Sequence, residues 1–311
     1  MNKKKVILDC DPGYDDAVAI ALAARSPELD VVGITCVAGN VEVEKTALNA
    51  LKICTLAGLD VPVAKGMAQP LFAELLMATQ VHGQSGLDNV PLPDPVQPLH
   101  PQHAVDFLIE TIMASESDIV LIPTAPLTNI AMAILREPQI TLKIPQIVLM
   151  GGAIGMGNVT PSAEFNVYSD PEAAKIVFDS GIPIVMVGLD VTQKAVVTPE
   201  HVERLQQSGS PLATTFASLF NVYLDAIARL DHEEVAALHD ACAVAAVCDP
   251  TLLTTQLMRV EIELRGEFTR GRTVCAPGFA SGKAPNVRAG IDFDADRFLD
   301  LVIARLTAEP E

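Results

Sequence analysis

The chain has 311 residues, half of them hydrophobic, and a formal net charge of -18 at pH 7. This length and apolar content suffice for one large α/β domain or two small ones. Because so acidic a protein lacks the Lys and Arg surface that neutralises phosphates, the charge argues against nucleic-acid and anionic-membrane partners. The six cysteines form no CxxC pair and no apolar run is long enough to span a bilayer, which predicts a cytoplasmic protein with no membrane partner.

Short β-branched runs alternate with amphipathic stretches along most of the chain. The runs predict strands at 5–8, 31–37, 118–123, 146–150 and 184–188, and the stretches predict helices at 15–24, 44–57, 104–114 and 171–178. Such alternation is typical of right-handed crossovers and a mainly parallel sheet. We therefore expect a single α/β domain over 1–311, with a mainly parallel central sheet flanked by helices.

Two other segments complete this prediction. The proline-rich stretch 69–103 has weak periodicity and is predicted to be a long loop over the functional site. After residue 260, two strand-like runs, RVEIEL and VRAGIDF, precede a closing helix. A loop containing GRTV and SGKAPN is expected between those two runs.

The stretch VILDCDPGYDDAVAI, residues 6–20, places four aspartates at the end of the first predicted strand: Asp9, Asp11, Asp15 and Asp16. Clustered carboxylates repel one another and are costly to bury. A hard divalent cation such as calcium or magnesium would reconcile them, at the strand ends where α/β sheets bind ligands. Two alternatives fit the same residues: helix caps with solvated turn residues, or the DxD strand end of a phosphatase, although Pro12 stands where that motif has Thr or Val.

Four further polar segments follow predicted strands or open a late helix: VAGN at 37–40, PTAPLTN at 123–129, VLMGGAIGMGNVTPSAEFN at 148–166 and LHDACA at 238–243. Together with the DxDPGxDD opening, and in this order, they make the whole chain resemble the inosine-uridine-preferring nucleoside hydrolase family. Within the family the sequence is similar to bacterial ribonucleoside hydrolases of the pyrimidine-specific branch. The resemblance implies a Rossmann-like nucleoside hydrolase fold.

The resemblance also implies an activity: Ca²⁺-dependent hydrolysis of the N-glycosidic bond of ribonucleosides to ribose and free base. It implies a ribonucleoside as the small-molecule partner, a role in nucleoside salvage and a homo-oligomer, either a dimer or a tetramer. The implied metal ligands are Asp11, Asp16, the main-chain carbonyl of Thr124 and Asp240, an all-oxygen set suited to calcium. Asp11 is also implied to be the general base that activates a metal-bound water.

Substrate contacts are implied at Asp15, Asn40, His82, Met150, Asn158, Glu164, Phe165, Asn166 and His239. His82 and His239 are in addition the candidate catalytic residues for the leaving base, since a neutral or a protonated imidazole can donate to it. A core-packing role for Met150 and for the histidines is the alternative. Ile227 and Asp231 stand where relatives often carry an aromatic or amide residue, so the preferred base does not follow from the resemblance.

Two other functions remain open on the sequence alone. A nucleoside- or sugar-binding protein on the same scaffold would keep the site without turnover, and a metal-dependent phosphatase would release phosphate instead of a free base. The intact positions of Asp11 and of the other implied metal ligands favour the hydrolase.

Overall fold

The fold is described here from a computed structural model that covers residues 3–231, 235–278 and 282–308. Its strands are β1 Lys4–Cys10, β2 Leu29–Cys36, β3 Val63–Lys65, β4 Ile119–Pro123, β5 Ile147–Met150, β6 Ile184–Val187, β7 Val196–Val197, β8 Ala236–Ala237, β9 Leu253–Ile262, β10 Thr273–Pro277 and β11 Val287–Phe293. Its α-helices are α1 Tyr14–Ala24, α2 Val43–Ala57, α3 Thr79–His82, α4 Ala104–Ala114, α5 Thr128–Arg136, α6 Phe165–Ser169, α7 Pro171–Phe178, α8 Leu189–Thr192, α9 Pro199–Gln207, α10 Pro211–Asp231, α11 His239–Cys248 and α12 Ala295–Thr307. Short 3₁₀ turns lie at Pro138–Leu142 and Pro250–Leu252.

One nine-stranded sheet runs through the molecule in the order β10-β9-β11-β6-β5-β4-β1-β2-β3. All neighbours from β11 to β3 are parallel, and among the described residues of this sheet the antiparallel pairs are those of β9 with β11 and with β10. Apolar cores lie on the two faces of the sheet. The predicted α/β class and mainly parallel central sheet are thus confirmed.

The predicted elements of the first two thirds are present, with small shifts at their ends. β1 extends to Cys10, because Asp9 and Cys10 still pair with Thr35 and Cys36 of β2. The prediction of a loop around GRTV is wrong in part. Thr273 begins β10 instead, where it is buried and its hydroxyl bonds to the backbone of Ala153. β3 and the small sheet of β7 and β8 have two or three residues each, too few to show a period in sequence.

The segment 69–103 contains one short helix, α3, and otherwise irregular backbone, as expected for a long loop. Hydrogen bonds from several parts of the fold fasten it. Ala78 donates to the carbonyl of Asn40 at 3.1 Å, and the amide of Asn49 on α2 donates to the carbonyl of Ser85 at 2.8 Å. The segment is therefore held against the carboxyl ends of β1 and β2.

Helix α1 explains how the first motif is buried. Ten of its eleven residues, from Tyr14 to Ala23, are buried, because α1 packs between α2, α10, α11 and α12. Small alanine side chains allow this close packing on all sides. None of the helices within the described ranges is long and apolar enough to cross a membrane.

Asp170, the N-cap of α7, joins three parts of the fold. Its carboxylate accepts hydrogen bonds from Ala173 N–H at 3.0 Å, Thr128 Oγ1 at 2.7 Å and Leu71 N–H at 2.8 Å. We expect Asp170→Ala to lower the free energy of unfolding by about 3 kcal/mol, because a lost cap costs about 1 kcal/mol and two further donors lose their acceptor. Equilibrium unfolding in urea measures this change in the free energy of unfolding. Asp60→Ala, at an exposed position, is the control, with an expected change under about 0.5 kcal/mol, and an equally small loss at Asp170 would contradict the prediction.

Candidate active site

A cavity of about 570 Å³ opens at the carboxyl ends of the parallel strands. It brings together all but one of the site residues that the family resemblance implies: Asp11, Asp15, Asn40, His82, Thr124, Met150, Asn158, Glu164, Phe165, Asn166, His239 and Asp240. The exception, Asp16, lies directly behind the wall and is fully buried. Its carboxylate accepts hydrogen bonds from Thr124 Oγ1 at 2.9 Å and Asn40 Nδ2 at 3.2 Å, so it belongs to the same site.

Three buried carboxylates form the closest acidic group. One oxygen each from Asp15, Asp16 and Asp240 lie within 4.8 Å of one another. Burial first, and then the neighbouring carboxylates, raise the pKa of Asp15 to about 6 and that of Asp240 well above its ordinary value. Burial also raises the pKa of Asp16 to about 6. No Lys or Arg is among the described residues that line the cavity, so the group has no protein cation to balance it.

Asp11 lies in the same cavity but outside this group of three. Its Oδ2 accepts a hydrogen bond from the backbone N–H of Asn40 at 2.6 Å. Gly39 makes the contact possible, because a Cβ there would lie 2.0 Å from Asp11 Oδ2. The resemblance implies Asp11, Asp16 and Asp240 as metal ligands and Asp15 as a sugar contact. The structure brings Asp15, Asp16 and Asp240 within 4.8 Å of one another and places Asp11 in the same cavity.

Asp9 does not join the other aspartates, contrary to the expectation of one cradle made by all four. Its Oδ1 accepts hydrogen bonds from Thr35 Oγ1 at 2.6 Å and Asn129 Nδ2 at 2.8 Å, and it does not line the cavity. A strand period of two would put Asp9 and Asp11 on one face only if the strand continued, and β1 ends at Cys10. Burial raises the pKa of Asp9 to about 7. Asp9 therefore links β1, β2 and α5.

Glu164 and Asn166 line the cavity from the start of α6. The Glu164 carboxylate accepts hydrogen bonds from the N–H groups of Gly152 at 2.8 Å, Asn166 at 2.7 Å and Val167 at 3.1 Å, and so caps α6. Since a carboxylate offers about four acceptor positions, one remains for a ligand. The Asn166 amide donates to the carbonyl of Thr124 at 2.9 Å. No donor among the described residues is seen at its Oδ1, which can therefore accept a hydrogen bond from a hydroxyl.

Met150, Asn158 and Phe165 line the cavity in different ways. Met150 is 4% exposed and is a member of the apolar core, so it is a packing residue and a wall residue at once. Asn158 is exposed, and its Oδ1 accepts a hydrogen bond from Phe165 N–H at 3.0 Å. Asn158 thus orients the start of α6 from the rim of the site.

His82 packs against two tyrosines, with its ring centroid 5.5 Å from that of Tyr14 and 6.2 Å from that of Tyr223. Its Nδ1 accepts a hydrogen bond from Tyr14 N–H at 3.2 Å, and Gly13 gives the ring room because a Cβ there would lie 2.4 Å from Nδ1. Burial, and to a lesser extent His239, lower the pKa of His82 to about 3. The ring is therefore neutral, with its proton on Nε2.

His239 begins α11 and faces the same cavity. Its Nδ1 lies 2.8 Å from Thr192 Oγ1. Burial lowers the pKa of His239, and the negative charge of Asp15 partly offsets this. The cavity thus holds a buried imidazole, His82, and a part-buried one, His239, whose Nδ1 atoms both have protein partners.

Tyr223 of α10 is a site residue that the sequence analysis missed. It is 3% exposed, its ring stacks on Tyr14 at 5.4 Å, and its hydroxyl donates to the carbonyl of Ala237 at 3.0 Å. In sequence it looks like any core residue of an amphipathic helix. Ile227, one turn later, also lines the cavity, whereas the side chain of Asp231 lies outside what the structure describes. Val159, within the motif at 148–166, also lines the cavity, and the other lining residues outside the quoted motifs are Ala78, Gln80, Val81, Gln193, Val196, Val235 and Ala237.

Comparisons with known proteins agree with this geometry. A family model described as "Inosine-uridine preferring nucleoside hydrolase" matches residues 6–300. The pyrimidine-specific ribonucleoside hydrolase RihB of Escherichia coli strain K12 is 44% identical over 304 residues, which cover 97% of this chain and 96% of the relative.

Solved structures show the same similarity. A plant nucleoside hydrolase, PpNRh1, has a TM-score of 0.93 at 34% identity, covering 99% of this chain and 100% of that protein. A purine-preferring ribonucleoside hydrolase from Gardnerella vaginalis has a TM-score of 0.92 at 36% identity, covering 98% of each chain.

The neutral state of His82 leads to a spectroscopic prediction. Because burial lowers its pKa to about 3, we expect the ¹⁵N shifts of its ring to stay those of a neutral Nε2–H imidazole from pH 5 to pH 8. Histidine-selective ¹⁵N NMR measures this, with His82→Gln to assign the signals. A titration midpoint near the ordinary value of about 6.5 would contradict the buried geometry.

Proposed function

We propose a function from the premise that this chain belongs to the inosine-uridine preferring nucleoside hydrolase family. The chain is a hydrolase of the N-glycosidic bond of ribonucleosides, and ribose and the free base are its products. One observation supports the reaction most directly: a single cavity holds the carboxylate group, the amide and carboxylate wall and two neutral imidazoles. Carboxylates and amides suit sugar hydroxyls, which both donate and accept hydrogen bonds.

The donor set fits a hard divalent cation, and Ca²⁺ is our proposal. Asp15, Asp16 and Asp240 offer only oxygen ligands, converge within 4.8 Å and are all buried. Asp11 and the main-chain carbonyl of Thr124 lie in the same cavity, as further candidate ligands. When bound, the cation would supply charge neutralisation, a contact for ribose hydroxyls and a lower pKa for a nearby water molecule.

Asp11 is our candidate general base. Asn40 N–H holds its Oδ2 at 2.6 Å, which leaves Oδ1 to accept a proton from the attacking water. Burial and Asp16 raise the pKa of Asp11 well above its ordinary value, so it is a stronger base than an exposed aspartate. The surrounding carboxylates also stabilise the positive charge that develops on the ribosyl ring in the transition state.

The two imidazoles are proposed to face the leaving base. As a neutral ring, His82 stabilises the departing base by hydrogen bonding from Nε2–H and does not give up its proton. The long segment 69–103 positions His82, since α3 belongs to it. We propose that this segment lies over bound substrate and excludes water from the reaction.

For the base, we propose a preference for pyrimidine nucleosides, supported by the 44% identity to a pyrimidine-specific relative over 97% of the chain. The Gardnerella vaginalis neighbour, at 36% identity, is named for purines. Because Ile227 departs from the residues implied by the resemblance, a panel of uridine, cytidine, inosine and adenosine with free-base detection is the deciding measurement. A cytoplasmic location and a homo-oligomer, dimer or tetramer, stay predictions.

The metal prediction concerns the carboxylate group. We expect protein treated with a chelator to release no free base, and Ca²⁺ to restore release and raise the melting temperature, because a ligand that binds only the folded state stabilises it. Calorimetric titration should show about one Ca²⁺ ion bound per chain. Asp240→Asn should lower the affinity for Ca²⁺, since a buried carboxylate ligand is lost. Full activity in a metal-free preparation would contradict the proposal.

A second prediction separates proton transfer from binding at Asp11. We expect Asp11→Asn to lower single-turnover hydrolysis by about 10²–10⁴-fold, because the amide cannot accept the proton. Asp15→Ala is the comparison and should weaken nucleoside and metal binding as well. Near wild-type turnover of Asp11→Asn with Ca²⁺ bound would exclude Asp11 as the base. If the wild-type protein binds nucleosides but releases no free base, the result would favour the alternative of a non-catalytic nucleoside-binding protein.

A further inference from the structure

Thr192 is a buried residue outside every motif of the sequence. It ends α8, the short helix that follows β6, and its side chain is fully buried. Its backbone N–H donates to the carbonyl of Gly188 at 3.1 Å. Within the described part of the chain, its hydroxyl has a single hydrogen-bond partner, Nδ1 of His239, at 2.8 Å.

This contact fixes where the proton of neutral His239 lies. If the Thr192 hydroxyl donates to Nδ1, both the hydroxyl proton and Nδ1 have a partner, and the ring proton is on Nε2, where it faces the cavity. If Nδ1–H donated to the hydroxyl instead, the hydroxyl proton would be buried with no acceptor, an arrangement that folded proteins avoid. Hydrogen-bond satisfaction therefore assigns His239 the Nε2–H tautomer.

A backbone hydrogen bond helps to hold Thr192 and His239 next to each other. Leu238 N–H donates to the carbonyl of Ala195 at 2.9 Å, which ties the start of α11 to the segment after α8. On the same short helix, Asp190 accepts hydrogen bonds from Ile154 N–H at 2.6 Å and Gly155 N–H at 2.9 Å. Helix α8 thus contacts both His239 at the start of α11 and the segment 154–155, which precedes the lining residue Asn158.

We propose that Thr192 is a positioning residue that holds His239 as the Nε2–H tautomer, aimed at the leaving base. The inference rests on the proposed hydrolase function. As the bond between the base and the anomeric carbon breaks, its electron pair goes to the base, and Nε2–H donates a hydrogen bond to the resulting anion. His239 keeps its proton, and the free base takes one from solvent. With His82, the site presents two Nε2–H donors, one fixed by Tyr14 N–H and one by Thr192.

The kinetic test uses Thr192→Val, which keeps the shape but removes the hydroxyl, and Thr192→Ser, which restores it. We expect Thr192→Val to lower kcat for uridine by about 10–100-fold with KM little changed, because the donor acts on charge that develops in the transition state. Hydrolysis of p-nitrophenyl β-D-ribofuranoside should keep its wild-type rate, since p-nitrophenolate leaves without such help. Thr192→Ser should recover the uridine rate.

Thr46→Val is the matched control for loss of a buried hydroxyl. Thr46 of α2 is fully buried and donates to the carbonyl of Val37 at 2.9 Å, outside the cavity wall. We expect it to lower stability but to cleave both substrates at the wild-type ratio. If Thr192→Val slows both substrates equally, or leaves uridine hydrolysis unchanged, the positioning role is wrong.

A readout independent of activity completes the test. Histidine-selective ¹⁵N NMR, assigned with His239→Gln, should show a protonated Nε2 for His239 in the wild type and a mixture of tautomers in Thr192→Val. A wild type that cleaves neither substrate would overturn the proposed function, whereas the NMR result still decides the tautomer. A His239 signal with its proton on Nδ1 would overturn the inference by itself.

Discussion

Burial of several carboxylates at the carboxyl ends of one sheet is the constraint around which the rest of the site is arranged. Burial raises the pKa of Asp15 and of Asp16 from 3.8 to about 6, which is a free-energy cost to the ionised form of each carboxylate. Because the folded-state values are the higher ones, this cost grows as pH rises from about 4 to about 6 and then persists. Hydrogen bonds donated by Asn40 and Thr124 to the Asp16 carboxylate offset part of this cost. The negative charge that remains makes the cavity suited to a cation.

The sequence predicted the sheet and the motifs well because both depend on local patterns. Strand periods and helix periods predicted five strands and four helices of the first two thirds of the fold. The motifs, together with the family resemblance, predicted twelve of the residues that line the cavity, whereas Tyr223 and most of the lining residues outside the motifs were not predicted. The errors have physical causes. Asp9 was grouped with the site because the end of β1 depends on pairing with β2, which a single strand does not reveal. β10 was read as loop because its pairing with β9 and the contact of Thr273 with Ala153 are long-range.

Residues that act through another residue were beyond the reach of the sequence. Tyr223 and Thr192 look like ordinary core positions, and only the folded chain places one beside His82 and the other beside His239. The tautomers of the two imidazoles are likewise set by partners distant in sequence, Tyr14 N–H for His82 and the Thr192 hydroxyl for His239. Motifs therefore identified the groups that face the ligand, while their orientation is a property of the packing around them.

The stack of Tyr14 on Tyr223 has an optical consequence. The chain has three tyrosines and no tryptophan, so its intrinsic ultraviolet fluorescence is tyrosine emission alone. Two of these fluorophores belong to the ring cluster with His82, and Tyr223 lines the cavity itself. The third, Tyr168, lies apart, against Gly271. Two of the three intrinsic fluorophores therefore lie at the site, and a ligand that enters the cavity changes the surroundings of Tyr223 without any added label.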